Sequence, residues 1–384
     1  MASFLFIDVT VTVSYGGVQT AVWHLAKELH DQGHRVAVFG GQGSLSPDLG
    51  GRAIDVQRFP FLPREKIPDL GSRFQRIGER LSLAVAARQA LLAGGYDWAI
   101  LTKPFDFFWP WIVPKGCRTR FAFRSGGTDF FPGDRFLARR IDAWFTNSHF
   151  NAYQIQQRYR RAVPSWPTVI YNGVDVERFA PDRRDEALRQ RWGVQEGEVV
   201  FAFAGRLVGW KGLHLAIQAM AHPAMVGRPA RLLILGSGPE RQPLARLAER
   251  LAQGGRVIFL DSVPHHQLPP FYASADVGLF PSIGDEGFSN SMAEAMACGH
   301  PVIATAFSGN PETVGNEGQA GLLVPPRQVE PLALAMQLLV DDPLRRARMG
   351  EAARQRILTH FTWPLVVRRL LDGLESGRAG YGLS

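Results

Sequence analysis

The chain is short of cysteine, of lysine and of long apolar runs, and each shortage excludes something. Its 384 residues hold two cysteines, Cys117 and Cys298, far apart in sequence. That rules against a disulfide framework or a cysteine-rich metal centre and fits a reducing cytosol. Cys298 falls late in an apolar helical stretch and reads as packing. His265 and His266 have no further His, Cys or carboxylate at ligand spacing, so no metal site is expected. No apolar stretch reaches about 18 residues, so no transmembrane helix is expected. The run Met1–Asp8 has neither a basic lead nor a cleavage site and reads as a first strand rather than a signal peptide. Only five of the 43 basic residues are lysine.

What is present is an ordinary globular composition, 46% hydrophobic and 20% charged, with 40 Gly and 26 Pro. That suits many short loops, and the length suits two domains. The net charge of +8 is uneven: residues 1–180 carry 22 Lys+Arg against 15 Asp+Glu, and the remaining 21 against 20. A basic first half suits anionic lipid, a phosphorylated acceptor or nucleic acid. General arginine usage explains it equally well.

The most informative stretch is 280–305. Asp276–Phe280 is a short apolar run of the kind found in buried parallel strands. Gly284 and Gly287 mark a tight loop, Ser289 or Asn290 caps a helix running to about Cys298, and Gly299 and Pro301 end it. Glu286 lies before this helix and Glu294 inside it. Two helical turns take about 7.2 residues, so both carboxylates can face one cavity at the helix N-terminus. Free N–H groups and a positive dipole end suit a phosphate there. An anion site flanked by two acids fits a ligand carrying both phosphate and hydroxyls, such as a nucleotide-sugar.

Glu286-Gly287-Phe288 through Glu294-Ala295-Met296-Ala297-Cys298-Gly299-His300-Pro301-Val302 resembles the E-x7-E signature of the retaining, Leloir-type glycosyltransferases of family 4. Further blocks follow the same order. Gly16-Gly17 after the first strand, with Gly33-His34 before the second, is similar to the family's N-terminal block, whose glycine loop lies close to the donor. Asn147-Ser148 and Ile170-Tyr171-Asn172-Gly173-Val174-Asp175 resemble two more. Gly205-Arg206-Leu207 followed by Lys211-Gly212 resembles the diphosphate site. A guanidinium and an ammonium after a buried strand can clamp a diphosphate. Gly236-Ser237-Gly238-Pro239 is similar to another family turn; Arg241 stands where a dinucleotide fingerprint wants its third glycine. Many relatives carry a histidine at the position of Gly126; this chain has none in that loop, and the role of that histidine does not carry over.

The resemblance implies an α/β chain of the GT-B fold: two Rossmann-like domains with parallel sheets facing a cleft, and a C-terminal helix crossing back to the first. The boundaries expected are 1–180 for the acceptor side, 181–362 for the donor side, and 363–384 for the crossover helix and tail. It implies a retaining transfer of a hexose or N-acetylhexosamine from a nucleoside-diphosphate sugar to a hydroxyl of a glycan or glycolipid, in cell-surface polysaccharide or lipopolysaccharide synthesis. Arg206 and Lys211 would hold the diphosphate, Glu286 would meet the transferred sugar, and Glu294 would bind the ribose. Gly16, Gly17, Phe288, Ser289 and Asn290 would complete the donor site. The pattern from Glu286 to Asn290 leans the donor to UDP over GDP. No metal or other cofactor is expected.

Asp129 is the acceptor-side candidate nearest Gly126. Phe107 and Trp109 belong to an aromatic run, 103–111, that lines an acceptor pocket, stacks on sugar faces, touches lipid or covers the edge of the first sheet. A helix over Arg73–Leu92 carries Arg73, Arg76 and Arg80 as a basic stripe, a solvated face or a contact for anionic membrane. The partners expected are the donor, a glycan or lipid-linked acceptor and an anionic membrane surface, without nucleic acid. The location expected is the cytoplasm, peripheral at the inner membrane face. A nucleotide-sugar epimerase of the same fold and a non-catalytic sugar-binding descendant are the alternatives.

Overall fold

The computed structural model describes residues 1–379 apart from Tyr15, Thr128, Pro164, Ser165, Ala252 and Glu317. It divides into two compact units: Met1–Gly173 together with the chain from Trp363 onward, and Val174–Thr362.

The first unit is built on a seven-stranded parallel sheet: β1 (Ser3–Ile7), β2 (Arg35–Gly41), β3 (Asp55–Phe59), β4 (Trp98–Leu101), β5 (Arg120–Ser125), β6 (Ala143–Thr146) and β7 (Thr168–Val169), in the order β3-β2-β1-β4-β5-β6-β7. Its central strands β1, β2 and β4 are apolar on both faces, as a sheet covered by helices on both sides requires. The period of two sorts the residues. Leu5, Ile7, Ala37 and Phe39 pack with Leu83, Ala84, Ala87 and Leu91 of the helix Ser72–Gly94. Phe4, Phe6, Val36 and Val38 pack with Val22, Leu25 and Leu29 of the helix Gly17–Asp31. The helix Trp363–Ala379 joins that second face through Trp363, Val366, Val367, Leu370 and Leu374, and His24 stacks on Trp363 at 4.8 Å. The last helix therefore returns to the first sheet.

The second unit holds a six-stranded parallel sheet: β8 (Val199–Ala204), β9 (Ala230–Leu235), β10 (Val257–Leu260), β11 (Val277–Phe280), β12 (Val302–Thr305) and β13 (Gly321–Val324), in the order β10-β9-β8-β11-β12-β13. The helices Leu213–Met220, Asn290–Ala297, Val329–Asp341 and Pro343–His360 belong to it.

Three expectations need correction. Residues 174–180 belong to the second unit, not the first. Val174 bridges to Thr362 and donates to the Phe361 carbonyl at 2.7 Å. The Arg354 guanidinium binds the carbonyls of Val176 and Phe179 at 2.9 and 2.7 Å. The aromatic run is core: Phe107 and Trp109 are fully buried, with Phe107 edge-on to Phe123 and packed on Trp144 and Tyr159. Neither ring has surface to offer an acceptor. The basic stripe is not one stripe. Arg73 is exposed, and Arg76 lies over the Phe105 ring at 5.8 Å. Arg80 is buried, because Asp8 and Asp106 draw its guanidinium inward.

Candidate active site

In an open parallel sheet, ligands bind beyond the carboxyl ends of the strands, where the strand order reverses. In the second unit that point lies between β8 and β11. Both strands end in the segments singled out by the sequence. β8 runs into Gly205-Arg206-Leu207 and a short 3-10 turn, Gly209–Lys211. β11 runs into the loop 281–289 and the helix Asn290–Ala297. The two loops touch backbone to backbone: Ile283 donates to the Trp210 carbonyl at 2.7 Å. Gly212, at φ 69°, sits so close that a Cβ there would lie 1.9 Å from the Pro281 carbonyl. Only glycine fits. The Gly-Ser-Gly-Pro turn after β9 has a similar use. A Cβ on Gly236 would lie 1.9 Å from the Gly205 carbonyl, and Leu207 donates to the Ser237 carbonyl at 2.9 Å. The turn braces the Arg206 loop.

This frame brings Lys211 and Glu286 together as an ion pair, each side chain about one-tenth exposed. Ser282 donates to the other Glu286 oxygen at 3.0 Å. The Lys211 ammonium also lies 4.5 Å from the Trp210 ring centre. Ser308 holds the backbone of Glu286, accepting from its N–H at 3.0 Å and donating to its carbonyl at 2.9 Å. It does so in a left-handed conformation, φ 55°, that side chains rarely adopt. Arg206 is exposed and makes no side-chain bond among the described residues.

The helix Asn290–Ala297 begins at Ser289 without a side-chain cap, and the Ser289 hydroxyl is buried with no partner. The first N–H groups of a helix have no intrahelical acceptor, so this end is short of acceptors. Phe288 is 7% exposed and its ring packs on Phe361 at 5.5 Å. The ring thus supports the loop from inside the protein. Glu294 is buried, and its carboxylate takes a bond from His265 Nε2 at 2.8 Å. Burial by itself would lower the His265 imidazole pKa; the Glu294 carboxylate outweighs it, and the net shift is upward. Burial pushes the Cys298 thiol up, so it stays a protonated packing residue.

The first unit's candidates form their own set at the reversal between β1 and β4. Gly16 precedes the helix that starts at Gly17, and Gln19 of that helix donates to Thr10 Oγ1 at 2.5 Å. Asp8, directly after β1, accepts from the Thr10 N–H and hydroxyl at 2.8 and 2.6 Å and from Thr102. Asp129 is half-exposed and paired with Lys103 at 3.3 Å and Arg76 at 3.6 Å. Gly126 lies beside the same helix start, where a Cβ would meet Val18 at 3.3 Å.

Sequence reasoning missed His265, Ser308 and the Asp8–Arg80–Asp106 cluster. In the sequence His265 is only a histidine without further metal ligands at the right spacing. Ser308 carries no signal in the sequence. Among the described residues no group of three His, Cys, Asp or Glu is placed to hold a metal ion, and no helix is long and apolar enough to cross a membrane.

Two parallel α/β units with charged loops at the switch point of the second have the architecture of the GT-B fold. The solved structures agree on the fold. Sucrose-phosphate synthase from Thermosynechococcus elongatus superposes over 99% of this chain and 100% of its own, with a TM-score of 0.80 at 21% identity. HepE of Anabaena, in complex with UDP and glucose, covers 98% and 100% with a TM-score of 0.78 at 22% identity. Sequence comparison is more specific. The Glycosyltransferase Family 4 profile matches residues 15–178, and that of Glycosyl transferases group 1 matches 184–356. D-inositol 3-phosphate glycosyltransferase of Corynebacterium glutamicum is 37% identical over 390 aligned positions, 92% of this chain and 90% of the relative. GDP-mannose-dependent alpha-(1-6)-phosphatidylinositol monomannoside mannosyltransferase of Mycolicibacterium smegmatis is 32% identical over 333, covering 82% and 86%. The chain belongs to the family 4 glycosyltransferases and is a retaining hexosyltransferase.

Proposed function

We propose that this enzyme moves a hexosyl group from GDP-mannose to a hydroxyl of an inositol-containing glycolipid. The observation that carries the donor half is the Lys211–Glu286 pair beside an exposed Arg206 at the switch point. The ammonium is fixed by a carboxylate before any donor arrives, so it is preorganised to meet the charge of a departing diphosphate. Arg206 supplies the second cation. The uncapped helix start at Ser289 offers donors to the same anion, and Glu294 an acceptor for the ribose. Glu286, paired with Lys211, is the carboxylate assigned to the transferred sugar. Guanosine replaces the uridine expected from the Glu286–Asn290 pattern, because the relatives whose names specify a donor specify GDP-mannose. The UDP-bound neighbours share only the fold.

The acceptor half rests on the same names, which specify phosphatidylinositol mannosides or inositol phosphate. A lipid acceptor also suits the first unit's surface. Phe74, Leu81 and Val85 are 45%, 40% and 70% exposed along the helix Ser72–Gly94, with Arg73 exposed beside Phe74. Their spacing puts the three on one face, a surface suited to the cytoplasmic leaflet of a membrane.

The test is thermal stabilisation by GDP, UDP, ADP and their sugar conjugates, followed by mannose transfer to a phosphatidylinositol acceptor. At a hundredfold excess over Kd, the right nucleotide adds about 2.7 kcal/mol, and Arg206→Ala removes the effect. Lys211→Ala should lower transfer by roughly 10²–10³-fold. Stabilisation by UDP alone would reassign the donor, and stabilisation by no nucleotide would overturn the donor site.

A further inference from the structure

Glu294 has two carboxylate oxygens, and the fold has already engaged one. Oε1 lies 2.8 Å from His265 Nε2. The Glu294 side chain is about one-tenth exposed, and that of His265 is 40% exposed. Among the described residues no other side chain bonds the Glu294 carboxylate. Nε2 must be the donor, because an ionised carboxylate only accepts.

His265 opens the 3-10 turn His265–Gln267, a few residues after β10, while Glu294 stands on the helix Asn290–Ala297. The bond therefore ties the loop that follows β10 to the helix that begins at the charged site. The imidazole is itself held from behind by the Phe179 ring at 5.4 Å. A long acid side chain left to itself samples several rotamers. One bonded on Oε1 presents Oε2 in one place.

We propose that His265 is a positioning residue of the donor site, which fixes one oxygen of Glu294 and thereby presents the other as a single-orientation acceptor for the ribose diol of the donor nucleoside. This rests on the assignment of Glu294 to the ribose.

The surroundings also give the pair a pH range. The charged groups acting on His265 are Glu294, Asp175 and Arg178, the carboxylates favouring the imidazolium and the arginine opposing it. Tyr272 and Cys298 also lie within the field of Glu294, and burial raises both, so both stay protonated and neutral across the working range. As pH rises through the elevated His265 pKa, the bond loses its charge assistance and the hold on Glu294 weakens. Donor affinity should fall with it.

The experiment is calorimetric titration of the full-length enzyme with GDP and with 2′,3′-dideoxy-GDP, or the uridine pair if UDP is the nucleotide that binds. The proteins are wild type, His265→Ala, His265→Gln and Glu294→Gln. His265→Ala should weaken the ribonucleotide about tenfold and leave the dideoxy nucleotide within twofold. His265→Gln, which keeps an N–H donor, should recover most of the loss. In wild type the affinity should decline from pH 6 to pH 9, and in His265→Gln it should stay flat. The turnover number at saturating donor should hold in both variants.

Equal weakening of ribo- and dideoxynucleotide would reduce the pair to a structural clamp and overturn the proposal. So would unchanged binding by His265→Ala alongside weakened binding by Glu294→Gln, which leaves the donor-site assignment standing. Unchanged binding by Glu294→Gln would overturn that assignment itself.

Discussion

Both sheets reverse their strand order once, and both place charged side chains at the reversal, but they treat those charges in opposite ways. In the first unit Asp8, Arg80 and Asp106 are each at most 3% exposed. The guanidinium lies between the two carboxylates, and Asp8 spends its remaining capacity on Thr10 and Thr102. In the second unit Lys211 and Glu286 keep contact with solvent, Arg206 is exposed, and the Ser289 hydroxyl is buried without a partner. The first cluster consumes its own charge in holding Thr10, which in turn receives Gln19 from the helix behind the Gly16-Gly17 loop. Each cluster keeps one buried polar atom without a partner, Asp106 Oδ1 in the first and Ser289 Oγ in the second, but only the second leaves charged groups open to solvent, where a ligand can use them. A switch point marks where a ligand can bind; the pairing of its charges decides whether it does.

The largest test of this contrast is Arg80→Ala. Removing one partner of a buried ion pair leaves uncompensated charge, which costs about 3–5 kcal/mol. Urea denaturation should show that loss, whereas Arg206→Ala should change stability by less than about 0.5 kcal/mol. If both cost the same, the distinction between a sealed and an open cluster falls.

A smaller effect comes from Asp106. Burial lifts its carboxyl, the Arg80 guanidinium opposes, the Asp8 charge adds to the lift, and the result is about 7. The folded protein therefore binds a proton here that the unfolded chain releases near pH 4. That contribution to stability is present below pH 4 and lost as pH rises toward 7. Asp106→Asn carries no such slope. Relative to wild type it should gain about 1–3 kcal/mol between pH 5 and pH 8, read as the shift in urea midpoint at each pH. A constant difference across that range would show that Asp106 is ionised throughout.

The same contrast separates what was legible in the sequence from what was not. The strands at both reversals are continuous apolar runs, and the blocks at Arg206–Lys211 and Glu286–Glu294 carry their chemistry in local spacing, so fold and family could be read directly. The partners of those residues could not. A helical row of arginines looks the same in sequence whether water or carboxylates face it. Arg80 became a core residue only because Asp8 ends one strand and Asp106 follows another. Phe107 and Trp109 failed similarly, since a run of aromatics does not say which side of a sheet edge it covers. His265 and Glu294 lie 29 positions apart and meet only once β10 and β11 have been placed in one sheet. The boundary moved by seven residues because the Arg354 guanidinium, far along the chain, captures the carbonyls of Val176 and Phe179.

The smallest expected effect is the sharpest test of the open cluster, because the molecule contains its own control. Ser148 and Ser289 both stand immediately before a helix and both are buried. The Ser148 hydroxyl accepts from the Asn151 N–H at 3.1 Å, as an N-cap should. Replacing such a serine with alanine costs about 1 kcal/mol. The Ser289 hydroxyl accepts from nothing. Its removal relieves an unsatisfied buried group, so Ser289→Ala should leave the ligand-free protein unchanged or more stable by up to about 1 kcal/mol. Nucleotide binding should move the other way, weakening roughly three- to tenfold as one hydrogen bond to the diphosphate is lost. Thermal unfolding with and without nucleotide reads both quantities in one experiment. A Ser289→Ala protein destabilised as much as Ser148→Ala, with unchanged nucleotide affinity, would make this serine an ordinary cap and remove it from the groups assigned to the donor diphosphate.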